Sequence, residues 1–165
     1  MLTQAGYCTG LFTSPHLVSY TERFQIDGKT ISPDALDRQV SELLAAARDD
    51  ETFFELTTAL ACRWFAENRV RIAVFEAGMG GRNDATAAVP GILTVITPVS
   101  LDHCQWLGNS LQEITTEKIG ITPSGSPVVS ACQEADALNT AEAYCARNGN
   151  QDRKSTRLNS SHRIR

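Results

Sequence analysis

The sequence predicts an α/β protein with a doubly wound, mostly parallel sheet. Apolar runs of strand length alternate with segments in which apolar residues recur at helical spacing. Two of these runs, 72–75 and 92–97, are apolar apart from two threonines in the second, which is typical of parallel strands covered on both faces. Strands that alternate with helices favour a parallel sheet, because each helix carries the chain back to start the next strand in the same direction.

The first third of the chain predicts two strands and a helix. Residues 10–13 and 24–26 have strand character, and the second run ends at a tight Asp27-Gly28 turn. Ser32 followed by proline is a helix start, and apolar residues then recur at helical spacing to residue 47. We expect that helix to bury one face.

The middle of the chain predicts a buried helix followed by a buried strand. Thr52-Phe53-Phe54-Glu55 matches a capping box and opens a helix that extends to about residue 68. The strand at 72–75 ends abruptly at Glu76, which a glycine-rich loop follows.

The last third continues the alternation. The strand at 92–97 is followed by a capping box at Ser110, which opens a helix reaching about residue 118. A strand at 127–130 and a helix at 135–147 complete the pattern.

Composition fits one soluble globular domain and excludes several other classes. The chain has 165 residues, of which 42% are hydrophobic and 21% charged. A net charge of −4 without a long basic run argues against a nucleic-acid partner, and no segment has the apolar length of a membrane span. Five cysteines without a CxxC pair indicate reduced thiols in a cytoplasmic protein. We expect a monomer that binds small molecules.

Two glycine-containing stretches imitate nucleotide-binding motifs and do not satisfy them. Gly28-Lys29-Thr30 ends like a P-loop, but Arg23 stands where the first glycine of that motif is required. The stretch that begins at Gly78 starts like a dinucleotide fingerprint, but Asn83 replaces its third glycine. Neither stretch by itself identifies a phosphate site.

Candidate functional residues follow the predicted strands, where α/β sheets bind ligands. Ser14, Glu76 and His103 fall at such positions. Glu76 is either a metal ligand or a structural carboxylate that caps backbone amides, and His103 is either structural or a metal ligand. Lys118, considered alone, is a solvated lysine at a helix end.

Taken together, six motifs in register resemble the folylpolyglutamate synthase/dihydrofolate synthase family of the Mur ligase superfamily. The resemblance covers about residues 1–149 and implies a central ATP-binding domain of the Mur-ligase type. The motifs are Phe12-Thr13-Ser14-Pro15-His16-Leu17, Glu22-Arg23-Phe24 with Ile26-Asp27-Gly28, Thr52-Phe53-Phe54-Glu55, the run from Glu76 to Thr86, Leu101-Asp102-His103 with Leu107-Gly108, and Glu117-Lys118-Ile119-Gly120-Ile121.

The resemblance implies an ATP-dependent ligase with two Mg²⁺ ions. Such enzymes add L-glutamate to dihydropteroate or a folate through an acyl phosphate, and metal ions suit the charge that this chemistry develops. Ser14 and Glu76 match ligands of one Mg²⁺, and His103 matches a ligand near the second. Lys118 matches a lysine that is carbamylated in the family, which gives the second ion an anionic oxygen ligand.

The same resemblance places four residues on the pterin and substrate side, namely Arg82, Asp84, Phe53 and Phe54. The chain departs from the family pattern at Ile119, where alanine is usual, and at residues 122–124.

The resemblance also predicts a truncated domain. In the family a glycine-rich P-loop precedes the segment that matches Ala5-Gly6-Tyr7, and a carboxyl-terminal domain follows. We therefore expect this chain to be inactive by itself. Residues 150–165 are polar and basic, and from Asp152 to His162 they resemble the in-frame translation of a sequencing-library adapter. The composition of this tail predicts no ordered structure.

Two alternatives stay open on the sequence. One is another Mur-type amide ligase with a different acid substrate, which the Thr13-Ser14-Pro15-His16-Leu17 segment disfavours. The other is a non-catalytic α/β binding module that has lost the phosphate loop. In such a module we expect the metal-site positions to drift, whereas all four match the family.

Overall fold

A computed structural model describes residues 1–48, 50–132 and 134–154 of the chain, with only the backbone for 152–154. Its strands are β1 Thr9–Phe12, β2 Phe24–Ile26, β3 Lys29–Thr30, β4 Ile72–Phe75, β5 Thr94–Ile96, β6 Val128–Ser130 and β7 Asp152–Lys154. Its α-helices are α1 Pro33–Leu44, α2 Phe53–Glu67, α3 Cys104–Leu107, α4 Leu111–Ile119 and α5 Ala135–Asn148.

The chain divides into two compact units. The first comprises Met1–Met79 with Asp84–Ala88, and the second comprises Gly80–Asn83 with the described residues from Val89 onward. The glycine-rich loop after β4 therefore contributes residues to both units.

The first unit contains a mixed sheet with the strand order β3-β2-β1-β4. β1 and β4 are parallel, with Phe12 opposite Phe75, whereas β2 and β3 extend the sheet with antiparallel pairing. Asp27 and Gly28 connect β2 to β3 with φ angles of 51° and 78°. An Asp-Gly pair with both φ angles positive is the preferred two-residue hairpin connection, which explains why the turn predicted here forms a hairpin.

Aromatic rings dominate the core of the first unit. Phe12 is fully buried, and its ring centroid lies 5.7 Å from those of both Phe24 and Phe75. The buried apolar residues of this core are Phe12, Phe24, Ile31, Leu60, Ala61, Trp64 and Phe65. Because α2 supplies four of them, it packs as the sequence predicts, with much of its surface buried.

Side-chain caps start the helices where the sequence places them. The Ser32 hydroxyl accepts the amide of Ala35, and Pro33 occupies the first turn of α1. Thr52 and Ser110 both form complete capping boxes, with glutamates three residues later. These predictions are confirmed because capping depends on local chemistry.

The second unit contains a parallel three-stranded sheet with the strand order β5-β6-β7. Its core is formed mainly by aliphatic residues and cysteines, namely Ile96, Val99, Leu107, Ile114, Ile119, Val128, Cys132, Ala137, Ala141 and Cys145. α4 and α5 both contribute to this core. The alternation of parallel strands with helices confirms the predicted α/β fold class.

Two local predictions are wrong. β4 lies at the edge of its sheet and leaves Ala73 and Val74 exposed, and Val95 in β5 is 59% exposed, so neither apolar run is covered on both faces. The first residues of the tail are ordered, because the backbone of Asp152–Lys154 pairs with β6. Backbone groups can pair in this way whatever the side chains are. Residues 155–165 lie outside the described residues, and the foreign origin of the tail stays a prediction.

No helix in the described part of the chain is long and apolar enough to cross a membrane.

Candidate active site

The structure brings Ser14 and Glu76 together in the first unit. Ser14 lies two residues beyond the end of β1, and Glu76 directly follows β4. Since these neighbouring strands are parallel, both residues lie at the carboxyl ends of the strands, on the same side of the sheet. The Ser14 amide donates a 3.0 Å hydrogen bond to Glu76 Oε2, and the Glu76 amide donates one of 2.9 Å to the carbonyl of Phe12.

The Glu76 carboxylate therefore has a local structural role and is also available for a ligand. One carboxylate oxygen accepts the Ser14 amide, and the Glu76 residue is exposed. A carboxylate has about four acceptor positions, so one backbone hydrogen bond leaves room for a metal ion. The two interpretations of Glu76 are compatible.

The turn after Ser14 is held by a buried arginine that the sequence did not single out. Arg23 is only 8% exposed, and its Nε donates a 3.0 Å hydrogen bond to His16 Nδ1. Its Nη1 lies 3.5 Å from Ser14 Oγ, at the long limit of a hydrogen bond. The Arg23-containing motif was part of the family resemblance, but no pattern in the sequence indicates that this charge is buried.

Phe53 and Phe54 begin α2 and differ in environment. Phe53 is 64% exposed, and its ring centroid lies 5.9 Å from both the Tyr20 ring centroid and the Arg23 guanidinium. Phe54 packs against the core, and a Cβ atom added at Gly78 would lie 2.6 Å from its ring. Phe53 is therefore accessible to a ligand, whereas Phe54 supports the glycine-rich loop.

The Asp84 carboxylate is occupied by hydrogen bonds within the first unit. Oδ2 accepts the amides of Gly78 and Met79 at 2.9 Å each, and Oδ1 accepts the amide and hydroxyl of Thr86 at 2.9 and 2.5 Å. With both oxygens used twice, the main visible role of Asp84 is to fix the shape of this loop. A role on the substrate side stays a prediction.

Arg82 and Lys118 lie in the second unit, where the glycine-rich loop contacts the end of α4. The Arg82 amide donates a 2.9 Å hydrogen bond to the carbonyl of Glu117. A Cβ atom at Gly81 would lie 2.2 Å from the Lys118 carbonyl oxygen, so only glycine allows this approach. Arg82 itself is exposed and packs over Gly120, beside the negative end of the helix.

Lys118 occupies the last turn of α4 and is partly buried. Among the described residues, no carboxylate forms an ion pair with its amine. An amine without a carboxylate partner is available for covalent modification or for binding a ligand.

His103 precedes α3 in a left-handed conformation, with φ of 52°. Its amide donates a 2.7 Å hydrogen bond to Asp102 Oδ1, and its Nε2 lies 3.7 Å from Asp102 Oδ2. Positive φ is uncommon for residues other than glycine and is a feature of functional sites as well as of tight turns. The imidazole is exposed, which leaves both interpretations of His103 open.

Within the described ranges, no group of three or more His, Cys, Asp or Glu side chains could hold a metal ion. Such a cluster is the arrangement expected for zinc and for some calcium sites. Mg²⁺ instead retains several water ligands and commonly uses one or two carboxylates together with substrate phosphates. A serine beside a single carboxylate, as at Ser14 and Glu76, fits the second pattern.

The fold is that of a central domain of the Mur-ligase type. The chain is 42% identical over 146 residues to the dihydrofolate synthase/folylpolyglutamate synthase of Bacillus subtilis, covering 84% of this chain and 34% of that protein. It superimposes on a folylpolyglutamate synthase (FPGS)–AMPPCP–folate complex with a TM-score of 0.88, at 35% identity, covering 93% of this chain and 39% of that one. It matches Escherichia coli FolC in complex with DHPP and ADP with a TM-score of 0.86, at 34% identity, covering 93% and 37%.

The chain therefore belongs to the folylpolyglutamate synthase/dihydrofolate synthase family, as the sequence motifs predict. It spans about a third of the length of the Bacillus subtilis and Escherichia coli relatives that it matches. No protein-family model matches it.

Proposed function

We propose that this chain is part of an ATP-dependent ligase that adds L-glutamate to dihydropteroate or to a folylpolyglutamate. The proposal depends mainly on one observation, the contact between the Ser14 turn and the Glu76 carboxylate at the carboxyl ends of β1 and β4. Relatives with this fold are named as synthases of these two kinds, and two of them are complexes with AMPPCP and folate or with ADP and DHPP.

In the proposed site, Ser14 and Glu76 hold one Mg²⁺. Their oxygen atoms are the ligands that this hard cation prefers, and one carboxylate suffices when phosphate oxygens complete the coordination. When bound, ATP and Mg²⁺ supply phosphoryl transfer to the substrate carboxylate, and the amine of glutamate displaces the phosphate. The contribution of Ser14 and Glu76 is to hold the cation where it would orient the reacting groups and neutralise their charge.

His103 and Lys118 are proposed to serve the second Mg²⁺. A lysine amine is a poor ligand for magnesium, but carbamylation converts it into an anionic oxygen donor. The modification requires an accessible amine, and the lack of a carboxylate partner for Lys118 among the described residues is compatible with it.

The substrate side is proposed to include Phe53, Phe54, Arg82 and Asp84. The exposed ring of Phe53 offers a surface on which a planar pterin can stack. Phe54 and Asp84 act through the loop that they fix, and Arg82 offers an exposed cation to an anionic substrate.

We further propose that the 165-residue chain has no ligase activity by itself. No stretch of the sequence matches the GxxxxGK[ST] loop that cradles ATP phosphates. Positioning those phosphates supplies much of the catalysis in phosphoryl transfer. We therefore expect ligase activity only from a longer enzyme of which this chain is a part.

A chimaeric enzyme tests the proposed function. Residues 1–149 would replace the aligned segment of the Bacillus subtilis relative, and the assay would measure ATP-dependent incorporation of labelled glutamate into dihydropteroate or tetrahydrofolate. We expect activity in the chimaera, and a loss of about 100-fold or more with Glu76→Gln because the metal loses its anionic ligand.

The matched control is Glu134→Gln, which changes another exposed glutamate far along the sequence in the second unit. That variant should retain the activity of the chimaera. A folded chimaera without ligation would contradict the proposed function. Full activity in the Glu76→Gln chimaera would instead contradict the metal site.

A further inference from the structure

Arg23 is a buried cation whose contacts lie around the candidate metal site. Its guanidinium lies 5.4 Å from the Tyr20 ring centroid and 5.9 Å from that of Phe53, so it is in cation–π range of two aromatic rings. Its nitrogen atoms point to His16 Nδ1 and to Ser14 Oγ. The contacts thus include a proposed metal ligand and a proposed substrate-side ring.

No carboxylate pairs with Arg23 within the part of the chain that the structure describes. The two carboxylates that flank this turn in the fold have other partners. Glu22 accepts the amides of Leu17, Val18 and Ser19, and these hydrogen bonds, led by that of Leu17, lower its pKa. Glu76 accepts the amide of Ser14.

A buried guanidinium without an anion is costly for a purely structural position. Arginine stays charged at all ordinary pH values, and removing that charge from water is unfavourable unless partners compensate for it. Apolar residues of similar size often replace buried charges with no loss of stability. The position of Arg23 therefore points to a role in the site next to it.

We propose that Arg23 is a positioning residue that fixes Ser14 and His16 for the candidate metal site. Its planar fork contacts both side chains of the turn, while Glu22 holds the amides that follow. Ser14 is thereby held where its amide meets Glu76. The metal-related part of this inference rests on the proposed function, whereas the orientation of the turn does not.

The hydrogen bond from Arg23 also determines the tautomer of His16. Because Arg23 Nε can only donate, His16 Nδ1 must accept, and the proton of the neutral ring lies on Nε2. This tautomer is measurable in the unmodified chain by ¹⁵N NMR of the imidazole at one pH at which the ring is neutral. We expect a pyridine-like Nδ1 and a pyrrole-like Nε2, and a ring with its proton on Nδ1 would overturn the proposal.

Substitutions at Arg23 separate a positioning role from a structural one. Arg23→Met removes the charge and both polar contacts, and Arg23→Lys keeps the charge but not the planar fork. We expect both variants to shift the Ser14 amide resonance. In the chimaera with AMPPCP present, we expect them to weaken Mg²⁺ binding about 10-fold or more, the usual effect of losing a partner that orients a metal ligand. The unfolding midpoint of Arg23→Met should be unchanged or higher.

Arg71→Met is the matched control, because Arg71 also contacts an aromatic ring, that of Tyr7, but is exposed. It should leave Mg²⁺ binding and the Ser14 resonance unchanged. A folded Arg23→Met variant with wild-type Mg²⁺ affinity would overturn the proposal, as would one whose midpoint falls while its Ser14 resonance stays in place. If Arg23→Met does not fold, the proposal is tested by the Mg²⁺ affinity and Ser14 resonance of Arg23→Lys and by the tautomer of His16 in the wild type.

A wild-type chimaera that binds no Mg²⁺ in the presence of AMPPCP would contradict the proposed metal site and not the role of Arg23 in the turn. In that case the Ser14 amide resonance tests the role of Arg23. A shift of this resonance in the Arg23 variants supports the positioning role, and spectra that superimpose on the wild-type spectrum exclude it.

Discussion

The contact between Gly81 and the end of α4 gives the sharpest prediction about the second unit. In Gly81→Ala, the new Cβ atom would lie 2.2 Å from the carbonyl oxygen of Lys118 and 2.8 Å from that of Glu117. Both are backbone atoms, so a rotamer change cannot relieve the clash. Either the loop or the last turn of α4 must move.

The cost follows from two effects. Overpacking of this kind costs about 1–3 kcal/mol. Moving the loop also weakens the 2.9 Å hydrogen bond from the Arg82 amide to the Glu117 carbonyl, which contributes about 1 kcal/mol. We therefore expect Gly81→Ala to destabilise the second unit by about 2–4 kcal/mol.

Amide hydrogen exchange measures this cost in the unit concerned. The α4 amides of Ile114 and Ile119 should exchange about 30- to 1000-fold faster in Gly81→Ala. Gly91→Ala is the control in the same unit, because its Cβ atom would lie 3.3 Å from the nearest atom and needs only a small adjustment. Wild-type exchange at Ile114 and Ile119 in Gly81→Ala would refute the reasoning.

Two further predictions concern carboxylates. Asp84→Asn should destabilise the chain by about 1–3 kcal/mol, because the side-chain –NH₂ group must face either the amides of Gly78 and Met79 or the donors of Thr86. The urea midpoint measures this loss of stability. Unchanged hydrogen exchange at the Gly78 and Met79 amides would contradict the prediction. Hydrogen bonds lower the pKa of Glu55 and Glu113, chiefly from the Thr52 side chain and the Asn109 amide respectively. Their contribution to stability is therefore complete above the unfolded-state pKa of about 4.3 and is lost as pH falls through the lower folded-state values. A Glu55→Gln/Glu113→Gln variant should lose less stability than the wild type between neutral and acid pH, and an identical acid slope would show that these caps do not contribute.

The candidate site was partly predictable from the sequence. Ser14 and Glu76 each follow an apolar run, and parallel neighbouring strands place such positions at one edge of a sheet. The environment of Arg23 was not predictable, since its burial depends on Tyr20 and on Phe53, which a helix 30 residues later in the chain supplies. The double hydrogen bonding of each Asp84 oxygen likewise depends on how the glycine-rich loop folds back.

The sequence by itself determined the local features of this protein. Helix starts at Ser32, Thr52 and Ser110 and the Asp27-Gly28 turn depend on interactions between residues within a few positions of one another. Tertiary structure alone decided which strands pair, that β4 is exposed at Ala73 and Val74, and that Asp152–Lys154 extends the second sheet. Those outcomes depend on contacts between distant segments, where backbone pairing and packing outweigh local composition.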